Sequence, residues 1–208
     1  MVDFLFHVDC RDILDFGCGK VGLGSVFTGP YYGIDITPIH PEVPNLIPIE
    51  GVHPFEITQQ FDLVCAMDVL EHIPPNDRGE FFRMLKRVSR KWVILSYPTN
   101  TAGRLFDIET LDFFSTGAPP SIPSWLLEHL AQEHPDPKKV IQEIEALDLR
   151  IVRRINHTDR LWHYLGSIGV SVEGPWKIKI LNDIHIVSDA LSQVKDLATY
   201  REVLILEV

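Results

Sequence analysis

Residues 11–22, RDILDFGCGKVG, constrain this chain more than any other stretch. A short apolar run ends in Asp15 and breaks into a loop carrying Gly17, Gly19 and Gly22. That pattern reads as a strand entering a tight turn where the main chain comes close to something. Glycine has no Cβ, so a ligand can approach the backbone and positive φ costs little. A helix opening near Gly22 would turn its first N–H groups toward the same crevice. In open α/β sheets, ligands gather at such a loop after the first strand.

The loop by itself fits two patterns. Gly17, Gly19 and Gly22 match G-x-G-x-x-G, the dinucleotide fingerprint, and Asp35 follows where a ribose-binding acid should lie. The same residues match D-x-G-x-G through Asp15. A dinucleotide loop has an apolar strand residue at that place, and a carboxylate there needs a partner because unpaired buried charge is expensive. The phosphate-loop pattern is excluded. No glycine precedes Gly19-Lys20 at the required offset, and Val21 stands where a Ser or Thr would hold magnesium. A purely structural glycine turn is the remaining alternative.

Apolar runs at 11–16, 31–36, 45–50, 61–66, 92–97, 149–155 and 202–208 predict seven strands. Pro48 makes the third an edge or irregular strand. Between them, 22–28 is at most a short helix. Asp77, Glu80, Phe81, Phe82, Leu85 and Val88 predict a capped amphipathic helix. Asp136-Pro137 opens another, with Val140, Ile141, Ile144 and Leu147 inward. Ile180, Ile184, Val187, Leu191 and Val194 mark a third. Strands alternating with helices imply a mostly parallel α/β sheet, helices on both faces and right-handed crossovers. The last strand is expected to be an antiparallel insertion, and 1–208 to be one domain. Residues 101–135 break the rhythm with Phe106, Phe113, Phe114, a Pro-rich stretch and Trp125. They read either as a lid over a site or as a surface excursion with its own small core.

Charge and cysteine content narrow the function. A net charge of −10 opposes a broad nucleic-acid surface. A local basic patch is left at Lys86, Arg87, Arg90 and Lys91. Cys10, Cys18 and Cys65 are odd in number and lie by predicted strands, as buried thiols in a reducing compartment do. No C-x-x-C exists, the nine His are scattered, and no metal site is expected. No run suits a membrane span or a secretory signal, so a cytoplasmic protein is expected.

At 61–74, FDLVCAMDVLEHIP, the chain resembles class I S-adenosylmethionine (SAM)-dependent methyltransferases, in particular the type 11 and type 23 groups. LDFGCG at 14–19 and YGID at 32–35 complete the family's order of motifs, and the resemblance covers roughly residues 11–98. It implies a Rossmann-like fold and methyl transfer from SAM to a small-molecule acceptor, O- or N-directed, with S-adenosylhomocysteine (SAH) as product. It implies that Asp15, Gly17, Cys18 and Gly19 line the methionine end, where the ammonium and sulfonium of SAM would partner Asp15. Asp35, with Ile36 beside it, would take the ribose hydroxyls. Glu50 and Gly51 would lie by the adenine, and Ala66, Met67 and Asp68 by the reacting centre. His72 is the candidate general base. Tyr97, Phe106, Phe113 and Trp125 are candidate substrate contacts. The family's third glycine usually falls at the position of Val21, and the interval from Asp15 to Asp35 is shorter than is common. Little chain precedes the first strand, where many relatives place a lid helix, so 101–135 is the expected substitute. The other readings are an NAD(P)-dependent oxidoreductase and a SAM-binding protein without turnover.

Overall fold

The computed structural model describes residues 9–19, 27, 29–36, 46–115, 122–157 and 200–208. The helices expected over 22–28 (Phe27 apart) and 180–194, together with Gly22, lie outside the described residues.

Short apolar runs buried on both faces make the centre of the sheet, as parallel strands covered by helices require. In β1 (Ile13–Phe16) all four residues are buried. β4 (Phe61–Met67) is buried up to Ala66. With β2 (Tyr31–Ile34), β3 (Leu46–Pro48), β5 (Ser89–Pro98), β6 (Arg150–His157) and β7 (Arg201–Glu207) they form one seven-stranded sheet, ordered β3-β2-β1-β4-β5-β7-β6. β1 pairs in parallel with β2 and β4, β2 with β3, and β4 with β5. β7 lies between β5 and β6 and runs antiparallel to β5. The backbone shows the reversal: Val208 donates to the Lys91 carbonyl at one end of the pair, and Thr99 donates to Tyr200 at the other. β3 is the edge strand that Pro48 predicted.

Helix α1 (Arg78–Val88) buries Phe81, Phe82, Met84, Leu85 and Val88. Asp77 occupies its N-cap position, yet its side chain makes no capping bond. Glu80 pairs instead with Arg83 at 2.9 Å. The helix is thus set by its apolar face and not by the capping box its sequence suggests. Helix α2 (Ala102–Ser115) and helix α3 (Ser124–Ala131) occupy the segment after β5, and α4 (Pro137–Ala146) begins at the expected proline.

Contacts divide the chain into two compact units. The first comprises 1–97, 138–154 and 203–208. Its core gathers Leu14, Phe16, Val64, Leu95, Tyr97 and Leu204 from one face of the sheet, with Phe81 of α1 and Ile144 of α4 packed on it. The second comprises 98–137 and 155–202. Its described apolar cluster is small: Ala102, Phe106 and Tyr200. There α2 packs on α3, and Arg104 donates to the Gln132 and Leu130 carbonyls at 3.1 and 3.2 Å. Among the described residues, no helix is long and apolar enough to cross a membrane.

Candidate functional site

The chain builds β1, β2 and β3 toward one edge of the sheet, then returns to lay β4 on the other side of β1. The strand order therefore reverses between β1 and β4. A crevice opens at such a point beyond the carboxyl ends of the strands. The two loops bordering it are the glycine loop after β1 and the turn after β4.

The glycine loop is built for close approach. Gly17 donates to the Ile34 carbonyl at 2.8 Å, which carries the β1–β2 ladder one residue past the strand. It then turns with φ +73°, and a Cβ placed on it would lie 2.5 Å from Val69 Cγ2 in the turn after β4. Only glycine lets the two loops meet here. Gly19 also has positive φ, +53°, but a Cβ there would meet nothing within 4 Å. Its backbone faces open space. The Gly19 N–H donates to Asp35 Oδ2 at 2.9 Å, so the acid that ends β2 fixes the loop that ends β1. Cys18 is buried, and burial, then the carboxylates of Asp15 and Asp35, push its thiol up to about 12. A thiol so placed is held protonated.

Asp15 is 4 % exposed and accepts a 2.5 Å hydrogen bond from the Tyr31 hydroxyl. The sequence demanded a partner for this carboxylate, and the neighbouring strand supplies one. At the end of β4, Ala66 is fully buried and Met67 is half-buried. Asp68 adopts φ +56°, which non-glycine residues seldom do. It is held there from β5: its N–H donates to the Ser96 carbonyl at 2.9 Å, and the Ser96 hydroxyl donates to Asp68 Oδ1 at 3.3 Å. Such a strained residue at a strand's end is what a binding site would hold in place. His72 is half-buried and closes a single 3-10 turn, its N–H donating to the Val69 carbonyl at 3.0 Å. On the other flank, Ile36 is 84 % exposed, and Glu50 and Gly51 lie exposed past β3, with Gly51 at φ +72°.

Three of the four candidate substrate contacts are described, each within its own unit. Tyr97 is fully buried in the core of the first unit. Phe106 packs on Tyr200, ring centroids 5.3 Å apart, in the second. Trp125 is half-buried and meets His129 edge-on at 5.2 Å. The side chain of Phe113 lies outside the described residues.

Sequence reasoning did not find two polar centres. At the opposite, amino-terminal end of the strands, fully buried Asp62 accepts from Arg11, Arg90 and Lys91 at 3.0, 2.7 and 3.3 Å. The hydrogen bond from Arg11 leads in holding its carboxyl far below the usual range, against the opposing pull of burial. Arg90 and Lys91 are therefore bound into an ion network, and Lys86 and Arg87 donate to the carbonyls of Leu147 and Phe55. The expected basic patch is in this sense a set of structural ties. The second centre joins Asp107, His129 and His134 in the second unit.

No family model matches the sequence, and no curated protein matches it. Solved structures do. A magnesium protoporphyrin IX methyltransferase from Synechocystis PCC 6803, with bound SAH, superposes with a TM-score of 0.56 over 99 % of this chain and 79 % of its own, at 14 % identity. A SAM-dependent methyltransferase from Archaeoglobus fulgidus gives 0.57 over 96 % and 87 %, at 15 % identity. A mycolic acid cyclopropane synthase in complex with SAH gives 0.58 over 100 % and 82 %, at 10 % identity. The chain has the fold of the class I SAM-dependent methyltransferases.

Proposed function

We propose that the protein is a SAM-dependent methyltransferase with a small-molecule acceptor, and that SAM lies in the crevice between the loops after β1 and β4. The observation carrying this reading is the charge and the bare backbone gathered at that crevice. Asp35 and Asp68 follow the ends of β2 and β4, Asp15 lies buried in β1 between those strands, and Gly19 offers bare backbone beside them. An acidic rim favours a ligand bearing an ammonium and a sulfonium. It disfavours the pyrophosphate of a dinucleotide, whose charge has the same sign as the rim. This weighs against the oxidoreductase reading.

Asp35 anchors the ribose diol through its carboxylate, having already oriented the glycine loop through Gly19. Exposed Ile36 and the backbone at Glu50–Gly51 frame the adenine. Asp15, buried beneath the loop, supplies negative potential for the amino-acid end. SAM brings an activated methyl group, and in-line transfer leaves SAH. The chain's own part is alignment at near-attack distance and exclusion of water. His72 takes the acceptor's proton where the acceptor must lose one. Residues 101–135, which leave the carboxyl end of β5, supply acceptor contacts.

The test is transfer of labelled methyl from SAM to a panel of hydroxyl- and amine-bearing small molecules, repeated with His72→Ala. Turnover that falls with His72→Ala while SAH affinity holds supports the base role. SAH binding without transfer to any acceptor supports the binding-protein reading instead. Limited proteolysis tests the acceptor segment: cleavage within 101–135 suppressed by SAH plus acceptor supports it, and equal resistance in all states opposes it.

A further inference from the structure

We propose that Asp107, His129 and His134 form a binding site for one divalent transition-metal ion of the zinc type. The three residues come from α2, from α3 and from the turn after α3. They converge on one atom. Asp107 Oδ2 lies 3.1 Å from His129 Nδ1 and 2.7 Å from His134 Nε2, and one donor atom from each residue falls within 4.8 Å of the others. Two imidazoles and a carboxylate are a donor set suited to zinc, with a fourth position left for water or another ligand. In a tetrahedral site with bonds of about 2.0–2.1 Å, donor atoms stand roughly 3.3–3.4 Å apart. To reach that spacing, Asp107 Oδ2 has to draw back by about 0.2–0.3 Å from His129 Nδ1 and about 0.6–0.7 Å from His134 Nε2.

Burial supports the assignment. The side chains of Asp107, His129 and His134 are 1 %, 10 % and 0 % exposed. A buried carboxylate flanked by two imidazole nitrogens is an arrangement that a divalent cation suits. Hydrogen bonding alone leaves His134 Nδ1 buried with no hydrogen-bond partner among the described residues. The surroundings give the ion a purpose. A metal here would staple α2 to α3 and to the segment after it, and metal affinity becomes folding free energy. His129 and His134 also stand at H-x4-H spacing, within the range of paired zinc ligands. The inference does not depend on SAM binding.

The experiment uses the full chain, untagged and stripped of metal. Titration with Co²⁺ is expected to develop the visible d–d bands of a four-coordinate site, saturating at one equivalent and bleached by Zn²⁺. Zinc is expected to raise the melting temperature in proportion to the logarithm of its free concentration. Asp107→Asn and His134→Gln are expected to lose the bands. Absence of cobalt bands and of any zinc-dependent melting shift in the parent protein would overturn the proposal and leave a hydrogen-bonded staple. So would variants that fold and bind cobalt unchanged. If neither variant folds, anomalous diffraction at the zinc edge decides the location: a peak between the three side chains supports the site, and a peak elsewhere overturns it.

Discussion

Alanine at Gly17 and alanine at Gly19 put the same methyl group on two left-handed residues with different surroundings. At Gly17 the new Cβ lies 2.5 Å from Val69 Cγ2, whereas at Gly19 it meets nothing within 4 Å. Left-handed backbone costs an L-residue about 1–2 kcal/mol. Forcing a methyl against the side chain in the facing loop adds about 1–3 kcal/mol. Gly17→Ala should therefore lose about 2–5 kcal/mol and Gly19→Ala about 1–2 kcal/mol. Urea unfolding reads both, provided the slope stays constant. Val69→Ala removes the clashing methyl and should restore part of the Gly17→Ala loss and none of the Gly19→Ala loss. Calorimetry with SAH separates fold from site, since the methyl of Gly19→Ala points into the space assigned to the ligand and should weaken SAH despite its mild effect on stability. Equal destabilisation by the two alanines, or no recovery with Val69→Ala, would refute the contact between the loops.

Asp35→Ala should weaken SAH by roughly 1.5–3 kcal/mol, about tenfold to 150-fold, while Asp35→Asn keeps an acceptor for Gly19 and so isolates the loss of charge. Tyr31→Phe removes the 2.5 Å hydrogen bond to buried Asp15 and should lower stability by about 1–3 kcal/mol in thermal melts, part of it recovered by saturating SAH. Asp62→Asn should cost about 3–5 kcal/mol, because it leaves Arg11, Arg90 and Lys91 around a neutral group. The folded Asp62 titrates below its unfolded value of about 3.9, so its contribution is complete above that pH and fades as pH falls below it. The parent protein should accordingly lose stability on acidification more steeply than Asp62→Asn does. In the metal-free protein Asp107 adds to the same acid sensitivity, though to a bounded extent: burial raises its carboxyl, the bonds from His129 and His134 lower it more, and it settles at about 2. Its contribution fades between about pH 4 and pH 2.

The strands were legible because each is a local apolar run, and burial of β1 and β4 on both faces matches their composition. The antiparallel β7 and the edge position of β3 followed from the same reading. The glycine loop was legible for the same reason: its demand for positive φ is a property of the residue itself, and Gly17 and Gly19 meet it. Partners distant in sequence were not legible. Asp15 announced that it needed a partner, but the parallel register that brings Tyr31 to it is a tertiary fact. Asp62 looked like an ordinary strand residue until Arg11 and Arg90 arrived from 51 and 28 residues away. The basic run at 86–91 resembled a surface patch for the same reason. Asp68 carried no sign of its left-handed backbone, which Ser96 helps to hold from β5. The H-x4-H spacing of His129 and His134 was passed over, and Asp107, which joins them, comes 22 residues earlier.

Calorimetric titration of the full chain with SAH, set against NADH under the same conditions, tests the central claim most directly. The account predicts one SAH per chain, binding that collapses in Asp35→Ala, and no heat from NADH. Tight NADH binding, or no SAH binding by protein that melts cooperatively, would contradict it.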